Sequence, residues 1–474
     1  MKYRILHHIG KTGLLLFVLL SLLAPCGCAS RSSETDAEPI RISVWTYYNG
    51  PQLDAFRMLI DEFNETEGRE KGIQVESAHF GSVKELQEKV LESATGKVGA
   101  APIPHVFAAY ADTAYAVDEL GLLTDLTPYL TDEEWAEYEE SYLTEGAFSE
   151  GEIKIFPIAK STEILLLNKT DWELFAEECG FTYEDLSTME GLIEVSEVYR
   201  DWSGGKAFYG RDSLSNYHFI GARQLGSEIL SRKNGKVEIT LDRDVMRKLW
   251  GSYYVPYVSG CFDSSGRFRS DDIKTGNILA YVGSSSGAMY FPDRVTLGDE
   301  DSHEIEMEVL PAPQFADAEP FAVQQGAGMC VTNESEEVVE ASMTFLKWFT
   351  QPERNIRFSI GSGYLPVQKR ANNMEAVLEV EPDLDEKAKK ILQVAFSTVR
   401  QNTMYTPPAF EQGTELRDLF DHAMEDAAVR DQKAVEQSIG HGTSLEKAVA
   451  PYVSERQFES WYTGLLSHIN SLFK

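Results

Sequence analysis

The chain has 474 residues, and its 43 lysines and arginines against 76 aspartates and glutamates give a formal net charge of −33 at pH 7. This excess of negative charge argues against nucleic acid as a partner, because a phosphate backbone binds surfaces rich in lysine and arginine. The length suffices for two ordinary domains or one bilobed body with substantial cores.

The amino-terminus has the plan of an export signal. Lys2, Arg4 and Lys11 form a basic head, and residues 13–23 form an apolar run that is too short to span a bilayer as a stable helix. The following segment, LLAPCGCAS, resembles the lipobox at which a lipoprotein signal peptidase cuts before a cysteine. We therefore predict a lipoprotein signal peptide over residues 1–27 and a membrane anchor of lipid, palmitate included.

Two cysteines compete as the lipidation site. Cys28 is favoured because the small Gly27 stands at its cleavage junction, whereas Pro25 stands at the junction before Cys26. An ordinary secretory peptide with incidental cysteines is the alternative, and it also predicts export. Residues 28–39 contain no large apolar side chain and are expected to form a flexible tether.

Metal and redox chemistry receive no support from the sequence. Beyond the signal, Cys179, Cys261 and Cys330 lie far apart and are odd in number, so neither a disulfide framework nor a zinc spacing is present. We expect no cofactor and no metal.

The folded part is predicted to begin with three strand–helix units. Residues 40–47 alternate as a strand, and a helix follows with apolar residues at Leu53, Phe56, Leu59, Ile60 and Phe63. A second strand begins at Ile73, after which Ser82 and Glu85 form a capping box for a helix that would bury Val83, Leu86 and Val90. Residues 105–110 form a third strand, followed by a helix that ends at Gly121.

Later segments keep this pattern. Residues 163–167 and 278–282 are predicted strands, and Ser187 is the predicted cap of a helix that reaches Tyr199. A core-facing helix buries Val339, Met343, Leu346 and Phe349, and the stretch after Ala371 is predominantly helical by pattern. Successive β-α units indicate an α/β fold with mainly parallel sheets flanked by helices.

Ligands of open parallel sheets bind at the carboxyl ends of strands, where loops and helix amino-termini meet. The loops in question are residues 47–49, 80–82, 110–112 and 283–286. They offer these candidate ligand-binding residues: Tyr47, Tyr48, Asn49, Ser82, Asp112, Ser284 and Ser285. Helix capping is an equally weighted alternative role for Asp112.

Several segments carry a family resemblance through their shared order. They are ISVWTYYNG, PHVFAAYADTAYAVDELGLLTDLTPYL, IFPIAKSTEILLLNKTDWELF, GNILAYVGSSSGAMY and the region from GAGMCVTNES to GSGYLPVQ. In this order they resemble the family 1 extracellular solute-binding proteins, the maltose-binding-protein-like receptors of ABC importers. The resemblance implies a two-lobed, periplasmic-binding-protein-like fold of type II, with hinge crossovers and a ligand cleft between the lobes.

Carried onto this chain, the resemblance places crossovers near residues 156–160, 310–313 and 365–367. Lobe 1 would combine residues 40–158 with 311–365, and lobe 2 would combine residues 159–310 with 366–474. The carboxy-terminal region and the span between Trp202 and Leu297 are longer than in compact members, so ligand contacts there do not carry over.

Sugar receptors supply aromatic rings for stacking and planar polar groups for hydrogen bonds. By their place near the crossovers or in the second lobe, we add Lys160, Glu163, Trp202, Asp212 and Tyr364 to the candidate contacts. The alternatives are a surface ion pair for Lys160 and Glu163, and plain packing for Trp202.

The sequence thus predicts an exported, lipid-anchored and monomeric receptor that captures a carbohydrate, an oligosaccharide, for an ABC permease at the outer face of the cell membrane. A non-sugar solute (polyamine, polyol phosphate or peptide) and a ligand-sensing partner of a signalling receptor are the alternatives. An enzyme is not expected, because neither GxSxG nor HExxH nor a Cys–His constellation occurs in a recognisable context.

Overall fold

A computed structural model describes residues 38–147, 151–233, 236–297 and 301–473. The predicted signal peptide, both candidate lipidation cysteines and nearly all of the tether lie outside the described residues. The strands, β1 to β14 in chain order, are Ile40–Thr46, Ile73–His79, Val106–Ala109, Glu163–Asn168, Tyr209–Arg211, Leu230–Lys233, Lys236–Ile239, Ala280–Ser284, Arg294–Leu297, Asp301–Glu304, Met307–Pro311, Phe321–Val323, Gly328–Val331 and Thr403–Tyr405.

Helices cover both sheets and make up most of the carboxy-terminal region, as the pattern after Ala371 predicted. The helices, α1 to α19, are Gly50–Glu65, Glu67–Lys71, Val83–Ala94, Ala111–Asp118, Asp132–Trp135, Glu140–Thr144, Lys169–Cys179, Met189–Trp202, Leu214–Gln224, Arg243–Val258, Arg269–Lys274, Glu336–Phe349, Pro352–Ser362, Met374–Val380, Glu386–Gln401, Gly413–His422, Glu425–Gly440, Leu445–Val449 and Glu455–Leu472. In the part of the chain that the structure describes, no helix has the length and hydropathy of a membrane span.

The first sheet has the strand order β13-β3-β1-β2. Strand β1 pairs in parallel with both β2 and β3, so that Val44 lies beside Ser77 on one side and Val106 on the other. Strand β13 adds an antiparallel edge. The three predicted strand–helix units are confirmed here, and the sheet is mainly parallel.

The second sheet, of order β11-β4-β8-β5, is mixed. Among neighbouring strands of this sheet, β5 and β8 pair in parallel, while β4 is antiparallel to both β8 and β11. The expectation of a mainly parallel sheet is therefore wrong for this half of the α/β body. Strand β4 is buried at every position, and a fully buried strand with a continuous apolar centre looks the same in sequence whichever way its neighbours run.

Aromatic clusters form the two main cores. Phe56, Phe349 and Phe358 pack together beneath the first sheet, with Phe56 making ring contacts to the other two at 5.5 and 6.2 Å. In the other half, Trp250 of α10 stacks on Tyr254 at 4.5 Å and meets Phe458 of α19 at 5.8 Å. The carboxy-terminal helices are thereby joined to the second core.

Helix starts follow local chemistry in part. The Ser82 side chain accepts the Glu85 N–H, as predicted. Asp112 is not the cap of α4, because Tyr110 precedes the helix and Asp112 lies in its first turn. Thr188 rather than Ser187 caps α8, since the backbone N–H of Met189 is held by the distant Gln314 carbonyl at 2.8 Å.

One apolar residue departs from the predicted burial pattern. Val83, expected in the core, is 37% exposed. It occupies the first position of α3, at the mouth of a cavity described below, so the first turn of this helix faces solvent and not the sheet.

Three segments run side by side between the two sheets. Single bridges join Phe156 to Met329, Lys160 to Leu365, and Ser161 to Gln325. In the second of these passages Gln325 pairs with Ser161, while Leu310 and Pro311 still belong to β11. The lobe boundaries themselves stay a prediction.

Candidate functional site

A cavity of about 560 Å³, here called the groove, opens between helices that follow the two sheets. Its walls are α3 and the start of α4 on one side, and the start of α9 with α16 on the other. Its lining residues include Gln87, Tyr110, Asp112, Glu145, Ser213, Asn216, Gln324, Gln325, Thr406, Thr414, Arg417 and Asp421. Helices α3, α4 and α9 each follow a strand, so the groove lies at the carboxyl ends of strands, where ligands of α/β proteins bind.

A second cavity of about 290 Å³, the side chamber, adjoins the groove. Glu145 and Thr406 line both spaces. The side chamber is otherwise lined by Thr144, Ala147, Glu228, Leu230, Arg232, Tyr405, Pro407, Pro408 and Ala409. Together the volumes of the two neighbouring spaces fall in the size range of small-molecule pockets.

Among the twelve residues predicted as ligand contacts, all within the described residues, Asp112 is the one that lines the groove. Its side chain is 6% exposed, and Oδ2 accepts a hydrogen bond from Nε of Arg417 at 2.8 Å. Oδ1 has no hydrogen-bond partner. Asp112 and Arg417 stand on opposite walls, so this ion pair spans the groove.

Further buried polar atoms around the groove lack partners. Both amide atoms of Gln324, the Oε1 atom of Gln325 and the Oγ1 atom of Thr406 are buried without a hydrogen bond to any described residue. Leaving one such atom unpaired costs about 1–3 kcal/mol. Because buried polar groups are normally satisfied, this concentration indicates a place where a polar ligand supplies the missing partners.

The floor of the groove holds a buried ion pair. The Lys160 Nζ donates to the Glu145 carboxylate and, at 2.8 Å, to the Gly326 carbonyl. Lys160 is 1% exposed and lies directly behind Glu145. Lys160 was predicted to face the cleft, but Glu145 separates it from the cavity. The alternative role, an ion pair at the surface, is also not what the structure shows, because the pair is buried.

Glu163 lies in a similar position on the other side. It accepts hydrogen bonds from Arg211 and, at 2.9 Å, from the Asn216 amide, which lines the groove. Burial raises the pKa of Glu163, while the Arg211 guanidinium and the Asn216 amide oppose that rise. Glu163 holds Asn216 in place and does not itself reach the cavity.

The aromatic side chain at the groove is Tyr110, which the sequence reading passed over in favour of its neighbours. Tyr47 stacks behind Tyr110 with ring centroids 6.4 Å apart and hydrogen-bonds the Tyr364 hydroxyl at 3.0 Å. Tyr48 is fully buried against Phe358. Tyr110 belongs to the loop at residues 110–112, which the sequence analysis placed at the carboxyl end of a strand. That position could have identified Tyr110 as a candidate contact.

The other loop residues make structural contacts. Asn49 donates to the Tyr47 carbonyl at 2.8 Å, and Ser82 caps α3. Ser284 donates to the Ser161 hydroxyl at 3.0 Å, which joins the end of β8 to the first passage between the sheets. The hydroxyl of Ser285 is buried there without a hydrogen bond.

Trp202 and Asp212 lie elsewhere. Trp202 donates from Nε1 to Glu178 at 2.8 Å and packs on Phe175 at 5.4 Å, beside a separate surface depression. Its position therefore matches the packing alternative. Asp212 accepts the backbone N–H of Arg269 at 3.2 Å.

Carboxylates outnumber cations along the groove. Its lining includes Glu88, Asp112, Glu145, Glu415, Asp418 and Asp421, against Lys84 and Arg417. Ion pairs neutralise Asp112 and Glu145, and the others leave a negative potential at the rim. Within the described ranges, no group of three or more His, Cys, Asp or Glu side chains is arranged to hold a metal ion.

The chain matches one family model and many solved structures. Residues 58–405 match a family model described as bacterial extracellular solute-binding protein. No protein of curated function matches the chain.

Solved structures of similar architecture cover almost the whole chain. The cyclic alpha-maltosyl-1,6-maltose binding protein from Arthrobacter globiformis is 18% identical, with 89% of this chain and 99% of that chain covered and a TM-score of 0.63. UgpB from Mycobacterium tuberculosis in complex with glycerophosphocholine is 20% identical, with 92% and 100% covered and a TM-score of 0.64.

A third similar structure is the ABC substrate-binding protein Lmo0181 from Listeria monocytogenes in complex with cycloalternan. It is 14% identical, with 90% of this chain and 99% of that chain covered and a TM-score of 0.65. At these identities the likeness establishes the two-lobed fold.

Proposed function

Because this chain belongs to the bacterial extracellular solute-binding proteins, we propose that it captures a carbohydrate in the groove and delivers it to the permease of an ABC importer. The ligand is proposed to be an oligosaccharide, since the side chamber adjoins the groove at Glu145 and Thr406 and extends the space beyond what one sugar ring needs. The family is one of binding proteins, so the chain is not an enzyme.

One observation carries the proposal: buried polar atoms without partners surround a groove that also contains an aromatic ring. Side-chain atoms of Gln324, Gln325 and Thr406 are buried without a hydrogen bond to any described residue, and Tyr110 lines the same space. A sugar supplies both hydroxyl groups for the polar atoms and a C–H face for the ring. Similar structures named for a maltosyl sugar and for cycloalternan support this ligand class.

The proposed mechanism is closure about the three passages between the sheets. The groove walls come from helices on both sheets and already touch through Asp112 and Arg417, so this structure corresponds to the closed arrangement, in which a ligand contacts both walls. Binding then stabilises the closed arrangement by the free energy of these additional contacts. The permease is proposed to recognise the closed form and to reopen it for release.

The site of action is proposed to be the outer face of the membrane, with the receptor tethered through a lipidated Cys28, or Cys26. Mass spectrometry of the mature amino-terminus checks this proposal. A diacylglycerol-modified cysteine is expected, and an unlipidated terminus would remove the anchor while leaving the receptor function untouched.

A cationic solute is the second candidate, and the negative rim of the groove favours it. Glu88, Glu415 and Asp418 are exposed at the opening and would attract a polyamine. The same charges disfavour an anionic solute such as a polyol phosphate.

A thermal-shift screen tests these candidates together. Maltotriose, mannotriose, spermidine and glycerophosphocholine are added to the purified chain, and X-ray scattering follows for each compound that raises the melting temperature. We expect a sugar to stabilise the protein and to reduce its radius of gyration. Stabilisation by spermidine alone would favour the second candidate, and a sugar that stabilises without compaction would contradict closure.

A further inference from the structure

Helix α16 lies beyond residue 405, where the family match ends, yet it forms part of the groove wall. The helix packs against α9, α17 and α19, and it also contacts α4, which follows the first sheet. A part of the chain that the family match does not cover therefore meets the opposite wall directly.

Two polar contacts join α16 to that wall. Nε of Arg417 donates to Oδ2 of Asp112 at 2.8 Å, and the Gln87 amide donates to the Thr414 hydroxyl at 3.0 Å. The Arg417 guanidinium also lies over the Phe219 ring of α9, 5.8 Å from its centroid. The Phe219 ring thus packs against the guanidinium and restricts its position while Arg417 hydrogen-bonds Asp112.

The first residue of α16 is fitted against the same carboxylate. A Cβ atom at Gly413 would lie 2.1 Å from Oδ1 and 2.4 Å from Cγ of Asp112, closer than such contacts occur in proteins. Oδ1 is buried there without a hydrogen bond. The orientation of the Asp112 carboxylate is thereby fixed: Gly413 covers one oxygen, and Arg417 holds the other.

We infer that α16 is part of the ligand site, with Arg417 as a positioning residue for Asp112 and Gly413 as the residue that gives the carboxylate its space. The inference rests on the proposed function for the identity of the ligand. Oδ2 of Asp112 accepts a hydrogen bond from a sugar hydroxyl, and Arg417 acts on the ligand through the carboxylate that it orients. A hydroxyl group is the chemistry that the oriented carboxylate recognises.

The placement of α16 is tested first without any ligand. Gly413→Ala is expected to lower the melting temperature, although alanine ordinarily stabilises a helix relative to glycine. Shortening the opposing side chain with Asp112→Ser should make room, so that Gly413→Ala causes no further loss in that background. Gly464→Ala is the matched control, since Gly464 lies in α19 with no atom near its Cβ position.

The outcome of this cycle decides the placement on its own. The placement of α16 would be overturned if Gly413→Ala changed the melting temperature no more than Gly464→Ala does. It would also be overturned if Gly413→Ala lowered the melting temperature equally with and without Asp112→Ser. The result is independent of whether any sugar binds.

The positioning role is tested by calorimetric titration with maltotriose and with mannotriose. Arg417→Gln is expected to weaken binding about tenfold through the lost charge-assisted hydrogen bond, and Arg417→Lys less, because the charge is kept. In an Asp112→Asn background, Arg417→Gln should cause little further loss. Arg41→Gln, which removes an exposed ion pair with Glu76, is the control expected to bind like the wild type.

Wild-type affinity in Arg417→Gln, or an equal loss with and without Asp112→Asn, would overturn the positioning role. If neither sugar binds the wild type, the proposed carbohydrate function fails with these probes. The stability cycle at Gly413 then still decides whether α16 is fitted to Asp112.

Discussion

The side chains of the groove come from distant parts of the chain, and this limits what single residues reveal in sequence. Asp112 was identifiable because it lies shortly after a buried strand, in the first turn of the next helix. Gln324, Thr406 and Arg417 carry no comparable local signal, since they meet Asp112 and Tyr110 only after the three passages bring the two sheets together. Trp202, a candidate chosen for its ring and its expected place in the second lobe, lies at a different surface depression.

Tyr110 provides a test of the groove at the level of one ring. Tyr110→Ala is expected to weaken binding of an oligosaccharide about tenfold, because the stacking surface is lost. Trp202→Ala removes a larger ring from a different surface depression and should leave affinity unchanged. Calorimetric titration of both variants with the same sugar measures the difference, and equal effects would contradict the location of the site.

The buried pair of Lys160 and Glu145 gives a prediction about stability. Lys160→Met leaves the Glu145 carboxylate buried without its cation, which should lower the free energy of unfolding by about 3–5 kcal/mol. Replacing both residues with apolar ones of similar size should recover most of this loss. Urea denaturation measures both, with Lys71→Ala, at an exposed pair with Glu67, expected to cost less than about 1 kcal/mol.

At the scale of elements, the positions of strands and helices were more predictable than the direction in which strands pair. The strand–helix units and the Ser82 cap were predictable because hydrophobic period and capping depend on nearby residues. The start of α8 was missed by one residue, because Gln314, far along the chain, selects between two adjacent hydroxyl residues. The antiparallel pairs of β4 were missed because a fully buried strand has no directional signature.

His218 connects three helices and makes their packing sensitive to pH. It lies in α9, donates from Nδ1 to the Leu214 carbonyl at 2.7 Å, and packs against Phe420 of α16 and Trp461 of α19. Burial lowers the pKa of His218 to about 4. The unfolded chain therefore binds a proton more readily below about pH 6.5, and the stability present above that pH is lost as pH falls toward 4.

The variant His218→Phe should flatten this part of the stability profile. Between pH 7 and 4.5 the wild type is expected to lose up to about 3 kcal/mol more than the variant, and urea denaturation at both values measures it. Equal losses in the two proteins would show that His218 is not buried in its neutral form.

At the scale of the molecule, the family and the two-sheet architecture were predictable because they depend on the order of many weak motifs along most of the chain. The passage at Gln325 and the wall formed by α16 were not, since the first lies between two short strands, β12 and β13, and the second lies beyond the family match. The net negative charge of the whole chain is typical of a solvated surface. It does not identify the ligand, which depends on the side chains of the groove.

The central claim is that an oligosaccharide binds in the groove between the two sheets. Calorimetric titration of the wild-type chain with maltotriose and mannotriose, repeated with Asp112→Asn, tests it most directly. We predict saturable binding of one sugar per chain by the wild type and an affinity at least about tenfold lower in the variant. Absence of saturable binding to either sugar, or an affinity unchanged by Asp112→Asn, would contradict the claim.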